Sequence, residues 1–280
     1  MSKSSSHHLH VDVLGVKVSA VNLQVALSNA EQWIAGGQPG FICVTGVHGV
    51  MEARSDPTLR RIITEAVMNV PDGMPLTWIG RLQGHSEMDR VFGPDFMLAL
   101  CKIAAQRGYR VFLYGGKPGV AQELKEKLQN EARGLQVVGI YTPPFVPLNA
   151  EQEQEVLAQI QKSKPHIVWV GLSTPKQERF MAEYIERFQV PLMVGVGAAF
   201  DFHTGRIRDC PGWIKRAGLQ WLHRLIQDPK RLWRRYLTNI PAFVWHITWQ
   251  ILGTRVRVGD PGGDNSTRLD SSCGRPMGDI

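Results

Sequence analysis

Apolar and polar positions alternate from Val11 to Val18 with the period of a short strand, and Asn22 is a suitable N-cap for a helix running to about Ile34. Gly36-Gly37 ends that helix, and the uninterrupted apolar run Phe41-Ile42-Cys43-Val44 predicts a buried strand. A helical period then extends through Met51 and Ile62 to Met68, and a second apolar helix runs from about Pro75 to Leu82. Gly93-Pro94-Asp95 opens a helix over Phe96 to Gln106, with proline suited to a first turn.

From Tyr109 the two periods alternate regularly. Strands are predicted at Arg110–Tyr114, Leu135–Ile140, Ile167–Val170 and Val190–Val196, and helices at Val120 to about Ala132, Asn149 to Lys162 and Pro175–Phe188. This rhythm predicts an α/β, Rossmann-like architecture: a parallel sheet with helices on both faces over residues 11–205. Ligands in such folds collect at the carboxyl ends of the strands. Thr45, Asp72, Gly115-Gly116, Gly171 to Gln177 and Gly195-Val196-Gly197 all fall there. The glycines Gly115, Gly116, Gly171 and Gly195 are candidates for backbone approach to a nucleotide diphosphate. Gly115-Gly116-Lys117-Pro118-Gly119 matches neither the dinucleotide fingerprint nor a Walker A loop, so a plain tight turn is an equal reading.

Composition changes the picture beyond residue 205. The whole chain of 280 residues carries a formal net charge of +7, which calls for an anionic partner: nucleic acid, anionic lipid or a phosphorylated substrate. Arg206, Arg208, Lys215, Arg216, Arg224, Lys230, Arg231, Arg234 and Arg235 are opposed in their span only by Asp209 and Asp228, and are interleaved with Trp213, Trp221, Leu225, Trp233 and Tyr236. On continuous helix Arg224, Arg231 and Arg234 would share one face. Residues 206–253 thus read as a basic, aromatic helical appendage. Its last segment, Ile240 to Leu252, falls short of the ~20 apolar residues a membrane span needs, and either docks at a membrane surface or packs on the core or a partner subunit. Residues 1–10 read as a flexible start and 254–280 as a disordered tail. Cys43, Cys101, Cys210 and Cys273 have no metal or redox spacing and read as reduced thiols of a cytosolic protein.

Asp72 is the most pointed chemical candidate. It lies in Val70-Pro71-Asp72-Gly73-Met74-Pro75, where two prolines restrict the chain and glycine permits a reversal. A carboxylate fixed at a strand end has the geometry of a general base; Pro-Asp-Gly is equally good turn chemistry.

The motifs Val44-Thr45-Gly46-Val47-His48, Pro71-Asp72-Gly73-Met74-Pro75, Gly171-Leu172-Ser173-Thr174-Pro175-Lys176-Gln177-Glu178, Gly195 to Phe202, and Ala217-Gly218-Leu219-Gln220-Trp221-Leu222 with Arg224 and Pro229 occur in that order. Together, over roughly Leu14 to Leu252, they resemble the WecG/TagA/CpsF family of bacterial glycosyltransferases. The resemblance implies transfer of a sugar from a UDP-sugar to a polyprenyl-diphosphate-linked acceptor at the cytoplasmic membrane face, with inversion and without a metal or other cofactor. It also implies roles: Asp72 as general base, Thr45 as a pocket residue, Gln177 in the sugar pocket, and Arg224, Arg231 and Arg234 closing over the diphosphate. Self-association is a further implication. Many relatives carry asparagine two positions after the threonine; here Val47 stands there, and the adjacent His48 is either a substitute substrate contact or a helix-start histidine.

The chemistry agrees with that implication. Departure of a nucleoside diphosphate builds negative charge, and the chain has no Asp-x-Asp or other recognisable metal set, so arginines and oriented amides must meet it. Two other classes stay open. A nicotinamide-dependent oxidoreductase would use the same sheet but lacks its fingerprint here, and a nucleic-acid-binding protein would explain the charge but not the apolar aromatic helix.

Overall fold

A computed structural model describes residues 9–258 apart from residue 145. Six parallel strands form the central sheet: β3 (Phe41–Thr45), β4 (Met68–Pro71), β5 (Arg110–Gly115), β6 (Gln136–Tyr141), β7 (Ile167–Gly171) and β8 (Leu192–Gly195), in the order β4-β3-β8-β7-β5-β6. Every residue of β3 is buried, as a strand covered on both faces requires. Its side chains divide by parity: Phe41 and Cys43 join one apolar cluster, Ile42 and Val44 the other. Trp169, Phe96, Phe200 and Leu100 fill the second cluster, beneath α5 (Gly93–Arg107) and beside α6 (Val120–Glu131). The α/β architecture expected from the sequence is therefore the one observed.

Local signals set the helix starts. The Asn22 side chain accepts from the Val25 N–H at 3.1 Å to open α1 (Leu23–Gly36), and Gly37, in the left-handed region, closes it. Asn149 and Gln152 form a reciprocal capping box at 2.8 and 3.1 Å ahead of α7 (Ala150–Ser163).

Three expectations change. The Val11–Val18 strand is a hairpin, β1 (His10–Val13) and β2 (Val16–Ser19), with His10 already paired to Ser19. Leu14 and Gly15 both take positive φ, the backbone of a two-residue turn matched to strand twist, and Asp12 Oδ1 accepts from the Gly15 N–H. Leucine at the first turn position hides this turn in the sequence. The helix expected from Met51 to Met68 is two, α2 (Val47–Ser55) and α3 (Pro57–Glu65), because Asp56-Pro57 breaks the first and caps the second through the Thr58 and Leu59 N–H groups. Met68 belongs to β4. The appendage comprises α10 (Gly212–Arg216), α11 (Gln220–Gln227) and α12 (Pro229–Val258), so helix passes residue 253; of the expected tail, residues 259–280 lie outside the described residues.

The helix α12 is apolar on two sides. Leu232, Phe243 and Ile247 are buried, the last two in the core cluster that also holds the hairpin. Gln250 accepts from the Leu14 N–H at 2.8 Å and donates to the Asp12 carbonyl at 2.9 Å. Trp233, Leu237, Val244, Trp245 and Trp249 face outward. Pro241 lies inside the helix without ending it. Phe243→Ala should lower unfolding free energy by about 3–5 kcal/mol in urea titration, while Trp245→Ala, at a position 63% exposed, should change it by less than about 0.5 kcal/mol.

Candidate active site

The cleft is built at the carboxyl ends of β3, β4 and β8. Thr45 ends β3 in register with Pro71, and its carbonyl accepts the Asp72 N–H at 2.8 Å. Space there is tight: a Cβ on Gly46 would lie 2.8 Å from the Asp72 carbonyl oxygen. Gly73 takes φ +154°, so the chain turns sharply into α4 (Met74–Leu82) directly after the carboxylate. Asp72 is thus a strand-end residue held by backbone on both sides.

Its charge partner is a residue no motif had singled out. Arg90 Nη2 donates to Asp72 Oδ1 at 3.2 Å and makes a second, short hydrogen bond to Gln220 Oε1 on α11. The next residue explains the placement, since the Val91 N–H donates to the Pro71 carbonyl at 2.8 Å and lays this segment beside the end of β4. The Arg90 guanidinium also lies 4.3 Å from the Phe92 ring centroid, and its Nε is buried without a partner among the described residues. A lone cation ahead of the apolar Val91-Phe92 and the Gly93-Pro94 helix start was the available signal.

The expected arginines divide. Arg224 stands 5.5 Å over the Phe202 ring, and Phe202 packs edge-on against Phe92, so Arg224 joins the Arg90 side of the cleft. Arg231 pairs with Asp228 at 2.7 Å and Arg234 stacks on Trp233; both are exposed. The three do not share one continuous helix, because Asp228-Pro229 separates α11 from α12. It is Arg235 that turns inward, with its Nε buried and unpartnered among the described residues. Burial lowers its pKa first, and the nearby Arg224 and Arg231 charges lower it further, against Tyr236 and Glu52. Arg235 is thus held inward with the Arg224 and Arg231 charges nearby.

Gln177, at the start of α8 (Lys176–Phe188), is buried, and its Oε1 accepts the Gly197 N–H at 2.9 Å. Its Nε2 donates to Glu178 Oε1 at 3.0 Å. Burial raises the Glu178 pKa, opposed by hydrogen bonds from Gln177, its own backbone and Thr174 and by the Arg235 charge. Thr45 is also buried, with its hydroxyl oxygen unpartnered among the described residues. Of the glycines, Gly195 lies against Gln177, where a Cβ would come within 3.1 Å of Cδ. Gly115 and Gly171 are register neighbours on β5 and β7, and a Cβ on Gly171 would meet the Phe200 ring at 2.8 Å. Gly116 follows at the same strand end, where a Cβ would meet Phe200 and Val120 at 3.3 Å. Gly116 and Gly171 thus pack against the Phe200 ring, and a Cβ on Gly115 would lie 2.6 Å from the Gly171 carbonyl oxygen. Among the described residues no group of three or more His, Cys, Asp or Glu side chains is arranged to hold a metal ion.

His48 sits on the first turn of α2 with its ring mostly buried. Its Nδ1 lies 3.0 Å from Asn239 Nδ2 of α12. Burial and then the Arg235 charge lower its pKa to about 4, opposed by the Thr174 backbone.

An α/β enzyme with a carboxylate and guanidinium groups at its strand ends is the class that fold and cleft define, and comparison with known proteins makes it a glycosyltransferase. The chain belongs to the Glycosyl transferase WecG/TagA/CpsF family, whose profile matches residues 11–257. It is 32% identical over 204 residues to the N-acetylglucosaminyldiphosphoundecaprenol N-acetyl-beta-D-mannosaminyltransferase of Bacillus spizizenii, a match covering 73% of this chain and 77% of that protein. The oxidoreductase alternative gains no support from these comparisons.

Because unfolded His48 titrates near its ordinary 6.5 and the folded ring near 4, the unfolded state takes the proton first as pH falls. This contribution to stability is complete above pH 6.5 and is lost as pH drops through 4, to a total of about 3 kcal/mol. Urea unfolding at pH 7.5, 6 and 5 should show stability falling more steeply for the native chain than for His48→Gln; parallel curves would contradict the assignment.

Proposed function

We propose that the protein transfers N-acetylmannosamine, its uronic acid or a related hexose from a UDP-sugar to a polyprenyl-diphosphate-linked N-acetylglucosamine acceptor, with inversion and without a metal ion. The single observation behind this reading is the juxtaposition of Asp72 with guanidinium groups: Arg90 paired to it, and Arg224 and Arg235, which have no ion-pair partner among the described residues, beside the same strand ends. The acceptor and sugar classes follow the activity named for the Bacillus spizizenii relative.

Asp72 takes the proton from the attacking acceptor hydroxyl. One carboxylate oxygen is oriented by Arg90, and Oδ2 carries no hydrogen bond among the described residues. As the sugar–phosphate bond breaks, charge builds on the departing diphosphate, and guanidinium groups meet it with paired N–H donors. Thr45 and Gln177 line the sugar side, at the end of β3 and the start of α8. Arg231 and Arg234 sit on the exposed face of α12 beside Trp233, where they suit the headgroups of an anionic membrane surface. None of the described helices is long and apolar enough to cross a membrane, so contact with the lipid-linked acceptor falls to that outward face, on the cytoplasmic side, with self-association a further use of it.

Incubation with UDP-N-acetylmannosamine and the lipid-linked acceptor should release UDP and add one acetamidohexose to the lipid mass, with full activity in EDTA. Asp72→Asn should slow transfer by about 10²–10⁴-fold, the usual scale of a general base, and leave UDP binding intact; unchanged turnover would remove Asp72 from this role. Arg235→Ala should reduce transfer more than Arg234→Ala in the same assay, and the reverse order would place the diphosphate on the outer face.

A further inference from the structure

We propose that Glu178 is a positioning residue that fixes the carboxamide of Gln177. The inference rests on the reading of Gln177 as a donor-sugar contact.

Glu178 is an unusual residue to find 1% exposed. Its Oε1 accepts two hydrogen bonds, from the Thr174 hydroxyl at 2.9 Å and from Gln177 Nε2 at 3.0 Å, while Oε2 is buried with no partner among the described residues. A buried group left half satisfied calls for an explanation beyond packing. Direct contact with a ligand is a poor one, since Oε2 has almost no accessible surface. Orientation is a better one.

A terminal carboxamide torsion is soft and roughly two-fold, so Gln177 needs fixed partners to present one edge to a ligand. The Gly197 N–H can only donate, and it holds Gln177 Oε1 at 2.9 Å. Glu178 Oε1 accepts from the amide nitrogen at 3.0 Å. These two partners leave one amide orientation and one N–H of Nε2 not used by Glu178. A glutamine at 178 could present either oxygen or nitrogen and would not enforce that choice.

The Thr174 hydroxyl, four residues earlier, holds the same Glu178 oxygen, so the carboxyl group cannot turn without breaking two hydrogen bonds.

The test is calorimetric binding of UDP and of UDP-N-acetylmannosamine to the full chain, with melting curves alongside. The native protein should bind the UDP-sugar more tightly than UDP. Glu178→Gln should keep its UDP affinity within about twofold and its melting temperature near native, yet lose about tenfold of the gain due to the sugar, the scale of one hydrogen bond. Adding Glu178→Gln to Gln177→Ala should cost nothing further. A native sugar gain preserved in Glu178→Gln would overturn the positioning role and leave the proposed reaction standing. Loss of UDP affinity and thermal stability together in Glu178→Gln would mark a structural role and also overturn it. Absence of any sugar gain or transfer in the native protein would instead reject the donor assignment.

Discussion

The cleft depends on the pairing of Asp72 with Arg90. One guanidinium group reaches the strand-end carboxylate and, in the other direction, the Gln220 side chain of the appendage. The bond is only 12% exposed on the arginine side and 30% on the aspartate side, so solvent screens it less than it screens the many ion pairs at the protein's rim. Its geometry comes from backbone: the Asp72 N–H is tied to Thr45, and the Val91 N–H to Pro71. Flexible side chains are thereby aimed by rigid sheet edges, the arrangement that chemistry at a fixed point needs.

Around that pair the structure concentrates unsatisfied polar atoms. Thr45 Oγ1, Arg90 Nε, Glu178 Oε2 and Arg235 Nε all lie near the same strand ends and lack partners among the described residues. Buried polar groups are normally paired, so four such atoms in one region mark a place where stability yields to binding. The Phe92–Phe202 pair supplies the apolar floor on which Arg90, Lys215 and Arg224 rest their cationic faces.

Most of the sheet and the position of Asp72 were legible in the sequence because their causes are local. Period-two runs, asparagine caps and the Pro-Asp-Gly turn act within a few residues of one another. What escaped was long-range or two-sided. Arg90 belongs to no pattern, and its meaning appears only when a chain 18 residues downstream lies against β4. In the sequence Arg234 groups with Arg224 and Arg231, and apolar side chains on both faces of α12 hid that Arg235 is the one turned inward. The hairpin turn was hidden by leucine at a position that usually favours glycine or asparagine. His48 was singled out for its neighbours in sequence, whereas its partner Asn239 comes from the far end of the chain.

Pro241 gives α12 an uneven mechanical character. A proline within a helix removes one backbone rung, and it does so two residues after Asn239 and two before Phe243. The missing rung divides the rod into a half that lies over the cleft and a half anchored by Phe243, Ile247 and Gln250. The anchor on the β1–β2 hairpin thus lies wholly on the far side of that missing rung from Arg231, Arg234 and Arg235, with about three helical turns before it.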